Sequence, residues 1–221
     1  MMIHFDDLWP RHNITPYGVL HLGSSVGQEK DVYVKHGVKE VIWVEAIPAV
    51  FAELLNNVKD IPGTICINAC VGEEEGKEVE FNVSNNEAQS SSYLELGHHK
   101  IIHPSVHYVD KFKTTIRRGD VLFKDFKFED SWFLNADLQG SELQAFKGMG
   151  ELLHKFDFIY SEINFKECYI GGALVGEIDE YLSRFGFLRK ETGVVVGETW
   201  TDALYIKHKG MSYGPISAQI R

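Results

Sequence analysis

Between residues 18 and 72 the chain alternates short apolar runs with amphipathic stretches, and this alternation restricts the possible folds more than any other feature. GVLHLG (18–23) is a compact apolar run between glycines and reads as a buried strand. VGQEKDVYVKH (26–36) follows as helix, with Gly37 as its stop. EVIWVEA (40–46) is a second strand, rich in β-branched and aromatic residues. PAVFAELLNNVK (48–59) has proline in its first turn and apolar residues at helical spacing. GTICINACVG (63–72) is a third strand. Strand, helix, strand, helix, strand predicts a parallel α/β sheet, because parallel neighbours need a crossover helix between them.

The middle of the chain departs from this rhythm. KEVEFNVSN (77–85) and VHYVDKFKTTIRR (106–118) read as strands, and the polar stretch between them, 85–105, has no clear period. Loops of this length are functional or disordered. After a connector at 119–131 the alternation resumes. SWFLNADLQG (131–140) is a strand, SELQAFKGM (141–149) a helix, FDFIYSEI (156–163) a strand and GEIDEYLSRFGF (176–187) an amphipathic helix. Residues 187–197 and 201–209 form a closing strand pair. The expected organisation is one domain over 1–209, with an insertion at about 77–118 and a flexible tail at 210–221.

With 221 residues the chain can bury a core without disulfides or metal. Its net charge of -10 disfavours general nucleic-acid binding, since an acidic surface repels phosphate. The densest basic group, Lys111, Lys113, Arg117 and Arg118, reads as a solvated strand face. Cys66, Cys70 and Cys168 are odd in number and contain no CxxC, which points to a reducing compartment. Cys66 and Cys70 are expected on one face of one strand as small buried fillers. No run approaches membrane-spanning length and no signal peptide is visible at the start, so a cytoplasmic location is expected.

The turn after the first strand carries Gly23 and Gly27, spaced GxxxG rather than the GxGxxG of dinucleotide sites. Ser25 stands where a middle glycine would admit a pyrophosphate. Glu45, 22 residues after Gly23, ends the second strand, where a carboxylate can accept hydrogen bonds from ribose hydroxyls. The pair suits an adenosine-type ligand without a pyrophosphate, S-adenosylmethionine before NAD. A helix cap at Gly23–Ser25 with a solvated Glu45 is the plain alternative.

Four stretches together resemble the FkbM-type methyltransferases. These are VLHLGSSVGQEKDVYVKHGVKEVIWVEAIPAVFAELLNNV, SSSYLELGHHKIIHPSV, FLNADLQGSELQAFKGM and YSEINFKECYIGGALVGEIDEYLSRFGF, in that order over roughly residues 15–207. The resemblance implies the class I methyltransferase fold, a doubly wound, Rossmann-like, seven-stranded and mostly parallel sheet with a reversed last strand. It also implies S-adenosylmethionine-dependent O-methylation of a small-molecule or glycan acceptor, such as a deoxyhexose like rhamnose or fucose. The cofactor-binding positions it suggests are His21, Gly23, Ser24, Ser25, Glu29, Glu45, Ala46, Asn68, Ala69, Cys70, Ser91, Ser92, Asp137 and Gln139. Three positions depart from the family pattern. His21 stands where many members carry Asp, Gly23-Ser24-Ser25 replaces Gly-Ala-Asn or Gly-Ala-His, and ETWTDAL replaces Gly-Trp-Gly-Asp-Ala.

Methyl transfer to a hydroxyl needs placement and a proton acceptor. Asp137 and Glu162 end neighbouring strands and are the expected catalytic pair, as base, orienting group or ligands of a divalent metal. His98 and His99 are further catalytic candidates from a histidine-rich stretch that includes His103 and His107 and matches no standard zinc spacing. Tyr169, Trp200 and Asp202 are placed to line the acceptor side. A Rossmann oxidoreductase using NAD(P) and a non-catalytic scaffold of the same fold are the competing readings.

Overall fold

A computed structural model describes residues 3–208. The expected tail at 210–221 lies outside them. In chain order the elements are α1 (Phe5–His12), β1 (Gly18–Leu22), α2 (Lys30–Lys35), β2 (Glu40–Glu45), α3 (Pro48–Val58), β3 (Thr64–Asn68) and β4 (Cys70–Val71). Then come β5 (Glu78–Ser84), α4 (His99–Ile102), β6 (Tyr108–Arg117), α5 (Gly119–Leu122), β7 (Trp132–Ala136) and α6 (Glu142–Met149). A 3-10 turn (Gly150–Lys155) leads into β8 (Phe156–Asn164), α7 (Val175–Ser183), β9 (Phe187–Thr192) and β10 (Trp200–Lys207).

Seven strands form the main sheet in the order β3-β2-β1-β7-β8-β10-β9. The β1, β2, β3, β7 and β8 pairings are parallel, and β10 runs antiparallel to both β8 and β9. This is the expected doubly wound sheet with a reversed last strand. Its central strands are buried on both faces, as sheets covered by helices on both sides require. In β1, Leu20 and Leu22 join a core with Leu134, Phe146 and Ile159, while Val19 joins the opposite core with Trp43, Phe133 and Leu204. That second core is closed by α1, which inserts Phe5, Leu8 and Trp9. This helix was not foreseen from the sequence.

The order places the topological switch between β1 and β7. From β1 the chain winds outward to β3, then returns to the other side of β1 as β7. The carboxyl ends of β1 and β7 therefore diverge into a crevice, where ligands bind in sheets of this kind.

Three local expectations are corrected. The helix after β1 begins at Lys30 rather than 26, because Ser25 (φ 46°) and Gly27 (φ 79°) take left-handed backbone that a helix cannot include. The third strand breaks at Ala69. Cys66 stays in β3 against the second core, while Cys70 enters β4, in a separate small sheet of order β4-β6-β5. The two thiols thus belong to different clusters. The unpatterned stretch at 85–105 is ordered by backbone bridges from Ser92 to Asn82 and from Leu96 to Tyr169, and by the single turn of α4.

Candidate active site

A cavity of about 490 Å³ opens at the switch point, within the ~300–1,000 Å³ range of small-molecule and cofactor sites. Its floor is the carboxyl ends of β1, β2, β7 and β8, and residues of 86–106 close it from above.

Backbone geometry shapes the first wall. A Cβ on Gly23 would lie 1.8 Å from the Asp137 carbonyl oxygen. The bare α-carbon thus lets β1 and β7 come together at their ends. Glu45 then staples the turn. Its Oε2 accepts from the Ser25 N–H at 3.0 Å and its Oε1 from the Ile47 N–H at 2.8 Å. Each oxygen keeps a lone pair for a ligand. Burial raises the Glu45 carboxyl above its ordinary range, and the Ile47, Ser25 and Ala46 N–H groups oppose that rise.

Beneath the turn, His21 is fixed by neighbours. Asn135 Nδ2 donates to its Nε2 at 3.1 Å, and the Tyr33 hydroxyl meets Nδ1 at 3.3 Å. Burial holds the ring neutral, with its pKa pushed down to about 3. Beside it, Glu29 Oε2 is buried without a hydrogen-bond partner. Burial, then the charge of Asp137, lifts the Glu29 pKa to about 7.

The second wall follows β7. Asp137 donates its N–H to the Leu22 carbonyl, locking the two strand ends together. Gln139 (φ 52°) and Gly140 (φ 94°) then turn through left-handed backbone. Glu142 Oε1 accepts from the N–H groups of Leu138 at 2.9 Å and Gly140 at 3.1 Å and so satisfies the turn after β7. Asp137 faces the cavity. Gln139 Nε2 donates to Asp137 Oδ1 at 2.5 Å and to Glu162 Oε2 at 3.3 Å, while its Oε1 accepts from the Tyr169 hydroxyl at 2.5 Å. The amide thus links both carboxylates to the acceptor side. Burial raises Asp137, though hydrogen bonds from Gln139 counter it. Glu162 is raised further, by burial and then by the charges of Asp137, Glu142 and Asp202.

Most of the sequence-predicted residues converge here. His21, Gly23, Ser24, Ser25, Glu29, Glu45, Ala46, Ala69, Cys70, Ser91, Asp137, Gln139, Glu162 and His99 line the cavity, as do Tyr169, Trp200 and Asp202. Three do not. Asn68 is exposed, its amide donates to the carbonyls of Glu45 and Ala46 and so braces β2, and it is not among the cavity-lining residues. Ser92 is consumed by its bridge to Asn82 and by the Leu94 N–H. His98 precedes the single turn of α4 and is not among the cavity-lining residues, whereas His99 is: its Nε2 lies 3.2 Å from Ser90 Oγ. Among the described residues, no three His, Cys, Asp or Glu side chains are grouped to hold a metal ion. Glu142, Asn135 and Tyr33 were missed as supports of the site. A carboxylate in the first turn of a helix, two residues after a glycine, was the available signal for Glu142.

The Methyltransferase FkbM domain matches residues 23–189, more than half of the chain. The chain belongs to the FkbM methyltransferase family. A search of curated proteins found no match. Among solved structures, the magnesium protoporphyrin IX methyltransferase of Synechocystis PCC 6803, with bound S-adenosylmethionine, is similar. It shares 12% identity, with 91% of this chain and 74% of that one covered and a TM-score of 0.50. A candidate RNA methyltransferase from Pyrococcus horikoshii shares 14% identity over 90% of this chain and 80% of its own, with a TM-score of 0.49. At such identities the likeness concerns the fold: this FkbM chain has the class I methyltransferase sheet. No helix among the described residues is long and apolar enough to cross a membrane.

Proposed function

We propose that this FkbM protein transfers a methyl group from S-adenosylmethionine to a hydroxyl of a small molecule or glycan, a sugar hydroxyl by preference. The observation that carries the reading is the Asp137–Gln139–Glu162 unit at the switch-point cavity, opposite a Glu45-stapled turn. The residues fit the cofactor. Glu45 offers a lone pair on each oxygen to ribose hydroxyls, Ala69 and Cys70 leave room for a ring, and the unpartnered Glu29 Oε2 suits an ammonium. When bound, the cofactor supplies an electrophilic methyl on a sulfonium.

The chain's own groups supply placement and proton transfer. Burial raises both carboxyls, Glu162 more strongly because the charges of Asp137, Glu142 and Asp202 add to it, while hydrogen bonds from Gln139 favour the ionised form of Asp137. Asp137 accepts the hydroxyl proton as the new O–C bond forms. Gln139 fixes the carboxylate orientation from both sides, and Tyr169 fixes Gln139. A base so positioned contributes roughly 100- to 10,000-fold. His99 is neutral, its pKa pushed down to about 4 by burial and then by His103, and it lines the acceptor side. Asp137 and Glu162 are the residues that would hold a divalent ion, with the remaining ligands drawn from the acceptor or water, since a third protein ligand is not grouped with them among the described residues. Incubation with methyl-labelled cofactor and a panel of free and glycan-linked sugars tests the reading. Label recovered in an alkali-stable ether is expected, whereas label in an amine or ester contradicts it.

A further inference from the structure

The cavity has charge of one sign. Glu29, Glu45, Asp137, Glu162 and Asp202 line it, and among the described residues no lysine or arginine does. Under the cofactor reading above, S-adenosylmethionine brings one net positive charge against these five carboxyls.

Two polar atoms on the acceptor side are left without partners. Asp202 Oδ2 and His99 Nδ1 are buried and make no hydrogen bond, on residues only 7% and 6% exposed that both line the cavity. Asp202 stands on β10 directly across from Glu162 on β8, so the two acids share one face of the sheet. Burial, then the charge of Asp137, pushes the Asp202 pKa up to about 7, and a hydrogen bond with the Tyr160 hydroxyl opposes that rise. A phosphate or carboxylate on the acceptor would meet repulsion with no cationic side chain to offset it. A neutral hydroxyl would satisfy one oxygen and leave the charge. An ammonium supplies both the donors and the charge.

We propose that the acceptor carries an ammonium group beside the methylated hydroxyl, as an amino sugar or amino alcohol does, and that Asp202, with Glu162 across from it, receives that ammonium. The inference rests on the methyltransferase reading above and adds the acceptor's chemical class. It disfavours nucleotide-activated and acidic sugars as acceptors.

The test uses the protein saturated with S-adenosylhomocysteine and three probes of similar size: glucosamine, glucose and glucuronate. Glucosamine is expected to bind at least about tenfold more tightly than glucose, as charge-assisted hydrogen bonds allow, and glucuronate more weakly than either. The isosteric Asp202→Asn variant is expected to bring glucosamine down to the level of glucose while S-adenosylhomocysteine affinity is unchanged, which also reports an intact fold. Glucosamine that binds no better than glucose, or a preference that survives Asp202→Asn, overturns the inference. So does loss of S-adenosylhomocysteine binding in Asp202→Asn alone, since the carboxylate would then serve the cofactor. A wild-type protein that binds no S-adenosylhomocysteine overturns the cofactor reading first, and this inference with it.

Discussion

Gln139 shows how the site is held residue by residue. A non-glycine residue in left-handed backbone costs on the order of 1–3 kcal/mol, and here its side chain ties two carboxylates to a tyrosine in return. Asp137→Asn is expected to lower kcat by roughly 100- to 10,000-fold with cofactor affinity within a few-fold of the parent. Equal activity in the variant would remove Asp137 as the base. Glu142 gives a stability prediction. Its folded pKa, about 7, lies above the ordinary 4.5, chiefly through burial. A carboxyl raised on folding stabilises below its unfolded pKa and loses that contribution as pH rises through the folded value. Glu142→Gln keeps an acceptor oxygen for the turn and removes the charge. It is therefore expected to match or trail the parent at pH 4.5 and to exceed it at pH 8 by roughly 1–3 kcal/mol, read from urea denaturation at both pH values. A gain that does not depend on pH would contradict the assignment.

Among the elements, the β1–α2 turn and the 85–105 stretch matter most, and the sequence exposed them unequally. The strand–helix alternation through 18–72 and 131–187 was legible because buried parallel strands write themselves as apolar runs. Ser25 hid the shortened α2, since nothing local marks a serine as left-handed. Its conformation depends on Glu45, 20 residues away. The break at Ala69 was hidden for a related reason, as the partner that draws β4 away is β6, more than forty residues on. Asp137, Glu45 and Gln139 were legible from their strand ends and motif, whereas Asn68 looked equivalent until its amide was seen bracing β2. Gly23→Ala tests the turn. With 1.8 Å between the new Cβ and the Asp137 carbonyl, at φ 75°, the strand ends must separate. A loss of at least about 2 kcal/mol and displaced Asp137 resonances are expected. Tyr169→Phe tests the upper wall by removing the hydroxyl that donates to Gln139. A raised acceptor KM with near-parental cofactor affinity is expected, and an unchanged KM would assign Tyr169 to packing alone.

For the whole molecule, the sheet order and the charge act together. The order β3-β2-β1-β7-β8-β10-β9 brings Glu45, Asp137, Glu162 and Asp202 to one end of the sheet from strands β2, β7, β8 and β10 or their ends. Four acids from distant parts of the chain therefore meet in a cavity of about 490 Å³ that no lysine or arginine among the described residues lines. Such a site costs folding energy that a cationic ligand recovers. The direct measurement is calorimetric titration of the purified protein with S-adenosylmethionine, in parallel with NADH, for the parent and for Glu45→Ala. The account predicts saturable binding of S-adenosylmethionine, weakened by roughly 10- to 100-fold in Glu45→Ala as charged hydrogen bonds are lost, and no binding of NADH. Absence of S-adenosylmethionine binding in the parent, or NADH binding in its place, would contradict it.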